Sequence, residues 1–93
     1  MKVIFADSVL IALRNLSQDD RNKIRVWFGY LERWESDPFA REHSRKLEGG
    51  ENVYMLVTST EVRIFFRLEK ETITILDVAN QSTIVRSGQI TGG

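Results

Sequence analysis

The apolar residues of this 93-residue chain change their spacing once, near Pro38, and that single switch limits the folds open to it. Before Pro38, Ile24, Trp27, Phe28, Leu31 and Trp34 recur at i, i+3, i+4, i+7 and i+10, which is one stripe of a helix. After it, Val62, Ile64, Phe66 and Leu68 alternate with Glu61, Arg63, Phe65, Arg67 and Glu69. A period of two gives a strand with one face toward a core and the other toward water or a ligand. Helices first and strands afterwards make segregated layers, an α+β domain with helices on one face of a sheet.

The remaining elements follow from weaker signals. Lys2–Ala6 is a short apolar run suited to a strand, and Asp7 and Ser8 offer N-cap oxygens to a first helix carrying Val9, Leu10, Leu13 and Leu16. Ser17 with Asp20 three residues later resembles a capping box and starts a second helix. That helix stops at Asp37-Pro38, because the residue before proline is pushed out of the α region. An irregular basic stretch, Arg41–Leu47, and a turn at Glu48–Asn52 lead into strands expected over Val53–Ser59, Glu61–Glu69 and Thr72–Val78. Residues 79–86 read as a last turn or short extension. The expected order is β-α-α-β-β-β, two N-terminal helices packed on a mostly antiparallel four-stranded sheet.

Composition removes several chemistries. The chain has no cysteine and one histidine, so disulfide frameworks, thiol nucleophiles and metal clusters of ordinary spacing are excluded, and no cofactor is expected. Gly49-Gly50 lacks the Lys-Ser/Thr of a phosphate-binding loop. Apolar runs are too short to span a membrane, and Asp7 interrupts the only N-terminal one, so no signal peptide and a cytoplasmic location are expected. Thirteen Lys and Arg balance thirteen Asp and Glu. The balance holds within residues 1–40, with six of each sign, and within residues 41–93, with seven of each. Any nucleic-acid contact is therefore confined to local positive patches rather than driven by overall charge.

Two such patches stand out. Arg63 and Arg67 flank Phe65 on one face of the middle strand, a pattern suited to holding phosphate with a base stacked on the ring. The same residues also suit cross-strand ion pairing with Glu61 or Glu69. The stretch Arg41–Lys46 carries Arg41, Arg45, Lys46 and the only imidazole, His43, which has the chemistry of a general acid or base or of a simply solvated loop histidine. Trp27, Phe28 and Trp34 read as core, while Val26, Tyr30 and Arg33 form a second stripe that is either a half-buried flank or a partner surface.

The order of Asp37-Pro38-Phe39, Lys46-Leu47-Glu48-Gly49, Val53-Tyr54-Met55-Leu56, Val62-Arg63-Ile64-Phe65-Phe66 and Ile75-Leu76-Asp77-Val78-Ala79-Asn80-Gln81 resembles the RelE/ParE superfamily of toxins from type II toxin–antitoxin modules. The resemblance runs from about residue 2 to residue 86. It implies a single RelE/ParE-like domain over 1–86; Ser87–Gly93, with two terminal glycines and little to bury, reads as a flexible tail. It also implies a cognate antitoxin as partner, and homo-oligomers or hetero-oligomers with that antitoxin. For RelE-like members it implies metal-free cleavage of mRNA on the ribosome, in which the 2′-hydroxyl attacks the adjacent phosphate. Arg63 matches the strand arginine that serves that phosphate; Arg67, Lys46 and His43 would complete the catalytic set, and Arg41, Arg45 and Phe65 would bind RNA. The chain departs from the pattern at Met55 and Val57, where basic residues are common, at Gln81, where an arginine is expected, and at Ser87, near the place of a C-terminal tyrosine. The alternative is a non-nucleolytic member of the same fold, either a ParE-like inhibitor of DNA gyrase or a protein that only binds an antitoxin.

Overall fold

In a computed structural model, which describes residues 1–49, 51–59 and 61–80, eight elements follow one another. They are β1 (Lys2–Phe5), α1 (Asp7–Arg14), α2 (Gln18–Glu32), α3 (Phe39–Glu42), β2 (Ser44–Lys46), β3 (Val53–Val57), β4 (Val62–Leu68) and β5 (Thr72–Asn80). The strands form one five-stranded sheet in the order β1-β5-β4-β3-β2. The β1–β5 pair is parallel and the other three are antiparallel. The α+β class and the mostly antiparallel sheet hold as expected. None of the described helices is long and apolar enough to cross a membrane.

The helical stripe buries as its spacing requires. Ile24, Trp27 and Leu31 of α2 and Val9 of α1 pack into one core with Leu56, Val62, Ile64, Phe66, Ile73, Ile75 and Val78 of the sheet. Phe28 and Trp34 are partly buried against it. At the start of α2 the Ser17 hydroxyl accepts from the Asp20 backbone N–H at 3.1 Å, and Asp19 and Asp20 lie in the first turn, where the helix dipole favours negative charge. Ser17→Ala is expected to cost about 1 kcal/mol, visible as a lower denaturant midpoint with an unchanged slope.

Four expectations are corrected. The sheet has five strands rather than four, because Arg45 and Lys46 pair through their backbones with Met55 and Tyr54. A polar three-residue edge strand carries no apolar period and leaves no trace in the sequence. A third helix, α3, takes in Arg41 and Glu42 of the supposedly irregular basic stretch; Pro38 stands at its start, and the Asp37 carboxylate accepts from the Phe39 N–H at 3.0 Å. Proline is therefore not what stops α2, which ends at Glu32 with Arg33 already off helical geometry. The cap of α1 falls on Ala6 with no side-chain hydrogen bond, so Asp7 contributes its charge to the first turn rather than a capping oxygen.

Strand limits shift by a few residues. β3 ends at Val57, after which the buried Thr58 hydroxyl donates to the Val62 carbonyl at 2.7 Å, and β5 extends to Asn80. The remainder of the proposed extension and the expected tail, residues 81–93, lie outside the described residues. The β2–β3 connection turns through Gly49 and Asn52, both in the left-handed region at φ 79° and 54°. Glycine and asparagine tolerate that conformation best.

Candidate functional site

The alternation along β4 sorts its residues between two environments. Val62, Ile64 and Phe66 are at most 1% exposed and face the helices, whereas Arg63, Phe65 and Arg67 project from the opposite face, which carries no helix among the described residues. Directly opposed residues of neighbouring strands share a face, so the register extends this surface. One row runs Arg45, Met55, Phe65, Asp77 across β2, β3, β4 and β5. The rows on either side run Val57, Arg63, Ala79 and Val53, Arg67, Thr74, Ile4.

Three guanidiniums thus surround a half-buried phenyl ring. Arg63 sits on the central part of the sheet, partly buried, with Nη1 donating to the Val62 carbonyl at 3.1 Å. Arg67 is exposed, and neither it nor Asp77 makes an ion pair among the described residues. Arg45 stands two strands from Phe65, about 10 Å away. Planar guanidiniums with fixed N–H forks bind phosphate oxygens bidentately, and a base stacked on Phe65 is worth about 1–3 kcal/mol.

The other three sequence candidates do not join this surface. The His43 Nδ1 lies 2.8 Å from the Phe39 carbonyl. A carbonyl only accepts, so this nitrogen carries the proton. The ring packs 4.3 Å from Phe39 and 5.6 Å from Trp27, on the helical side. Arg41 donates from Nη1 to the Trp34 carbonyl, tying α3 to the end of α2. Lys46 is exposed and opposes Tyr54, whose ring stacks on Phe66 at 5.4 Å on the core side of the sheet. Arg41 and His43 are separated from the face of Arg45 by the helix-to-strand transition, and Lys46 by the alternation of β2.

Around His43, Val26, Trp27 and Tyr30 of α2 form a shallow cleft of about 340 Å³ with Phe39 and the start of the β3–β4 turn. Arg33 lies over the Tyr30 ring at 5.2 Å, and of the stripe Val26, Tyr30 and Arg33 only Tyr30 is half-buried.

Asp77 is the open-face residue that sequence reasoning missed. The pairing runs Phe66 with Ile75 and then Phe65 with Asp77, so Leu76 is an extra residue in β5. This bulge was legible in the spacing of Ile73, Ile75 and Val78, two residues and then three, which breaks a strict period of two.

No protein-family model and no curated protein matches the sequence. Solved structures do. A chain of the RelB–RelE antitoxin–toxin complex from Methanococcus jannaschii superposes with a TM-score of 0.70 at 18% identity, covering 90% of this chain and 96% of that one. The archaeal RelE–RelB complex from Pyrococcus horikoshii gives 0.67 at 22% identity, over 86% and 93%. The isolated RelE toxin of E. coli gives 0.66 at 16% identity, over 92% and 96%. The likeness to a toxin crystallised alone identifies the shared architecture as that of the RelE toxin fold.

Proposed function

We propose that this chain is the toxin of a toxin–antitoxin module and cleaves mRNA on the ribosome through its helix-free sheet face. The observation that supports this is the gathering of Arg45, Arg63 and Arg67 around Phe65 on one solvent-facing surface of a RelE-type fold. In such a reaction the 2′-hydroxyl attacks the neighbouring phosphorus, and negative charge grows on the non-bridging oxygens. Arg63, held at the middle of the sheet, offsets that charge. Arg45 and Arg67 hold flanking phosphates, and Phe65 stacks a base so that the scissile linkage lies over Arg63.

The partner on this reading is an antitoxin. Ile4, Phe5, Leu10 and Ile11 of β1 and α1 are 37–62% exposed, beside β1, an edge strand among the described residues and so suited to strand addition. With no net charge on the toxin, pairing is expected to be mainly apolar: affinity should change less than about tenfold between low and high salt in calorimetric titrations.

The test is induction in a bacterial host with mapping of mRNA 5′ ends. New 5′-hydroxyl ends within translated regions, absent for Arg63→Ala, are expected. An unchanged end map, or one equally altered by Arg63→Ala, removes the proposal; inhibited supercoiling by purified DNA gyrase in its place would substitute the gyrase alternative.

A further inference from the structure

We propose that Asp77 is the proton acceptor for the attacking 2′-hydroxyl, an inference that rests on the RNA-cleavage reading above. Cleavage by the RNA's own hydroxyl needs a group that takes a proton beside the groups that hold the phosphate. On the open face Arg45, Arg63 and Arg67 stay protonated and only donate. The His43 ring is committed to the aromatic group on the helical side. Glu61 and Glu69 lie past either end of β4, four residues from Phe65, about 13 Å along the strand.

Asp77 is placed differently. It directly opposes Phe65, with Arg63 and Arg67 as its diagonal neighbours on β4, at about 7–8 Å between backbones. The bulge at Leu76 creates this placement: in unbroken register from the Phe66–Ile75 pair, Leu76 would oppose Phe65, and the face would present a methyl-rich side chain where it now presents a carboxylate. Asp77 Oδ1 accepts from the Val78 N–H at 2.8 Å, which fixes the carboxylate and leaves Oδ2 as the accepting atom. Asp77 makes no ion pair among the described residues, so no cation competes for that oxygen there.

The step balances without a metal or a second reagent beyond water. The O2′–H bond breaks and its proton passes to Asp77 Oδ2. The O2′–P bond forms, the P–O5′ bond breaks, and O5′ takes a proton from water. Asp77 then returns its proton to solvent, leaving a 2′,3′-cyclic phosphate and a 5′-hydroxyl.

The experiment is single-turnover cleavage on ribosomes programmed with an mRNA whose cleavage site has been mapped with the wild-type protein. A second mRNA carries sulfur in place of the bridging 5′ oxygen at that site, a leaving group that needs no proton. Asp77→Asn is expected to slow both substrates about 10²-fold, the lower end of general acid–base effects, while binding to the programmed ribosome stays within threefold of wild type. Asp77→Glu should recover part of the loss. Asp77→Asn at near wild-type rate, or rescue by the sulfur substrate, overturns Asp77 as proton acceptor while leaving the cleavage reading intact. A wild-type protein that cleaves neither substrate overturns both.

Discussion

Cleavage at a mapped mRNA site is expected to fall about 10²–10³-fold in Arg63→Ala, with little change in ribosome binding, measured under single-turnover conditions. The size follows from where Arg63 stands. β4 is paired on both sides, by β3 and β5, so the Arg63 backbone is among the most constrained on the open face. Its Nη1 already spends one donor on the Val62 carbonyl, which restrains the guanidinium before RNA arrives. A preorganised charge loses little to reorganisation when the transition state forms, so its removal acts on the chemical step rather than on binding. Arg45 and Arg67 differ in both respects. They are exposed, and Arg45 lies on the three-residue edge strand β2. Their alanine variants are expected to weaken association by a few-fold each and to flatten its salt dependence, as for phosphate contacts on single-stranded nucleic acid. Arg63→Lys should recover only part of the rate, because an ammonium keeps the charge but not the bidentate fork. Thermal denaturation of each variant separates a lost fold from lost chemistry.

The elements that carried an apolar period were legible in the sequence, as was the Ser17 cap of α2, and the short elements without such a period, α3 and β2, were not. Ile24, Trp27 and Leu31 announced α2, and Val62, Ile64 and Phe66 announced both β4 and which of its faces is free. Arg63, Phe65 and Arg67 followed from that assignment without further information. The stretch from Arg41 to Lys46 failed as a unit because it is two elements: α3 turns Arg41 and His43 toward Trp34, Phe39 and Trp27, and β2 then sends alternate residues to opposite faces. Chain proximity to a basic cluster therefore says little about which side chains share a surface. Asp77 was obscured for a related reason. A bulge shifts phase within one strand, so assuming strict alternation from Ile73 onward puts Asp77 on the core face, where the observed register has Ile75 and Val78.

Phe66→Ala is expected to destabilise the protein by about 3–5 kcal/mol, the range for removing a fully buried phenyl ring. Phe66 has no exposed surface; Tyr54 stacks on it at 5.4 Å and Trp34 meets it edge-on at 5.6 Å, so the cavity would open at the centre of the core. For a domain of this size total stability is on the order of 5–14 kcal/mol, so the loss is about a fifth of it or more. At about 4–8 °C per kcal/mol, the melting temperature should drop by at least about 12 °C, and a chain near the lower stability limit would not fold at all. Phe65→Ala, one residue earlier on the same strand, is the informative contrast. Its ring is half-buried on the helix-free face, so truncation should cost about 1 kcal/mol of stability yet weaken RNA binding through the lost stack by about 1–3 kcal/mol. Two adjacent phenylalanines would then separate cleanly, one read by denaturation and the other by RNA affinity. If Phe65→Ala proved the more destabilising of the two, the open and core faces of β4 would be exchanged, and the grouping of Arg45, Arg63, Arg67 and Asp77 on a free surface would fall with them.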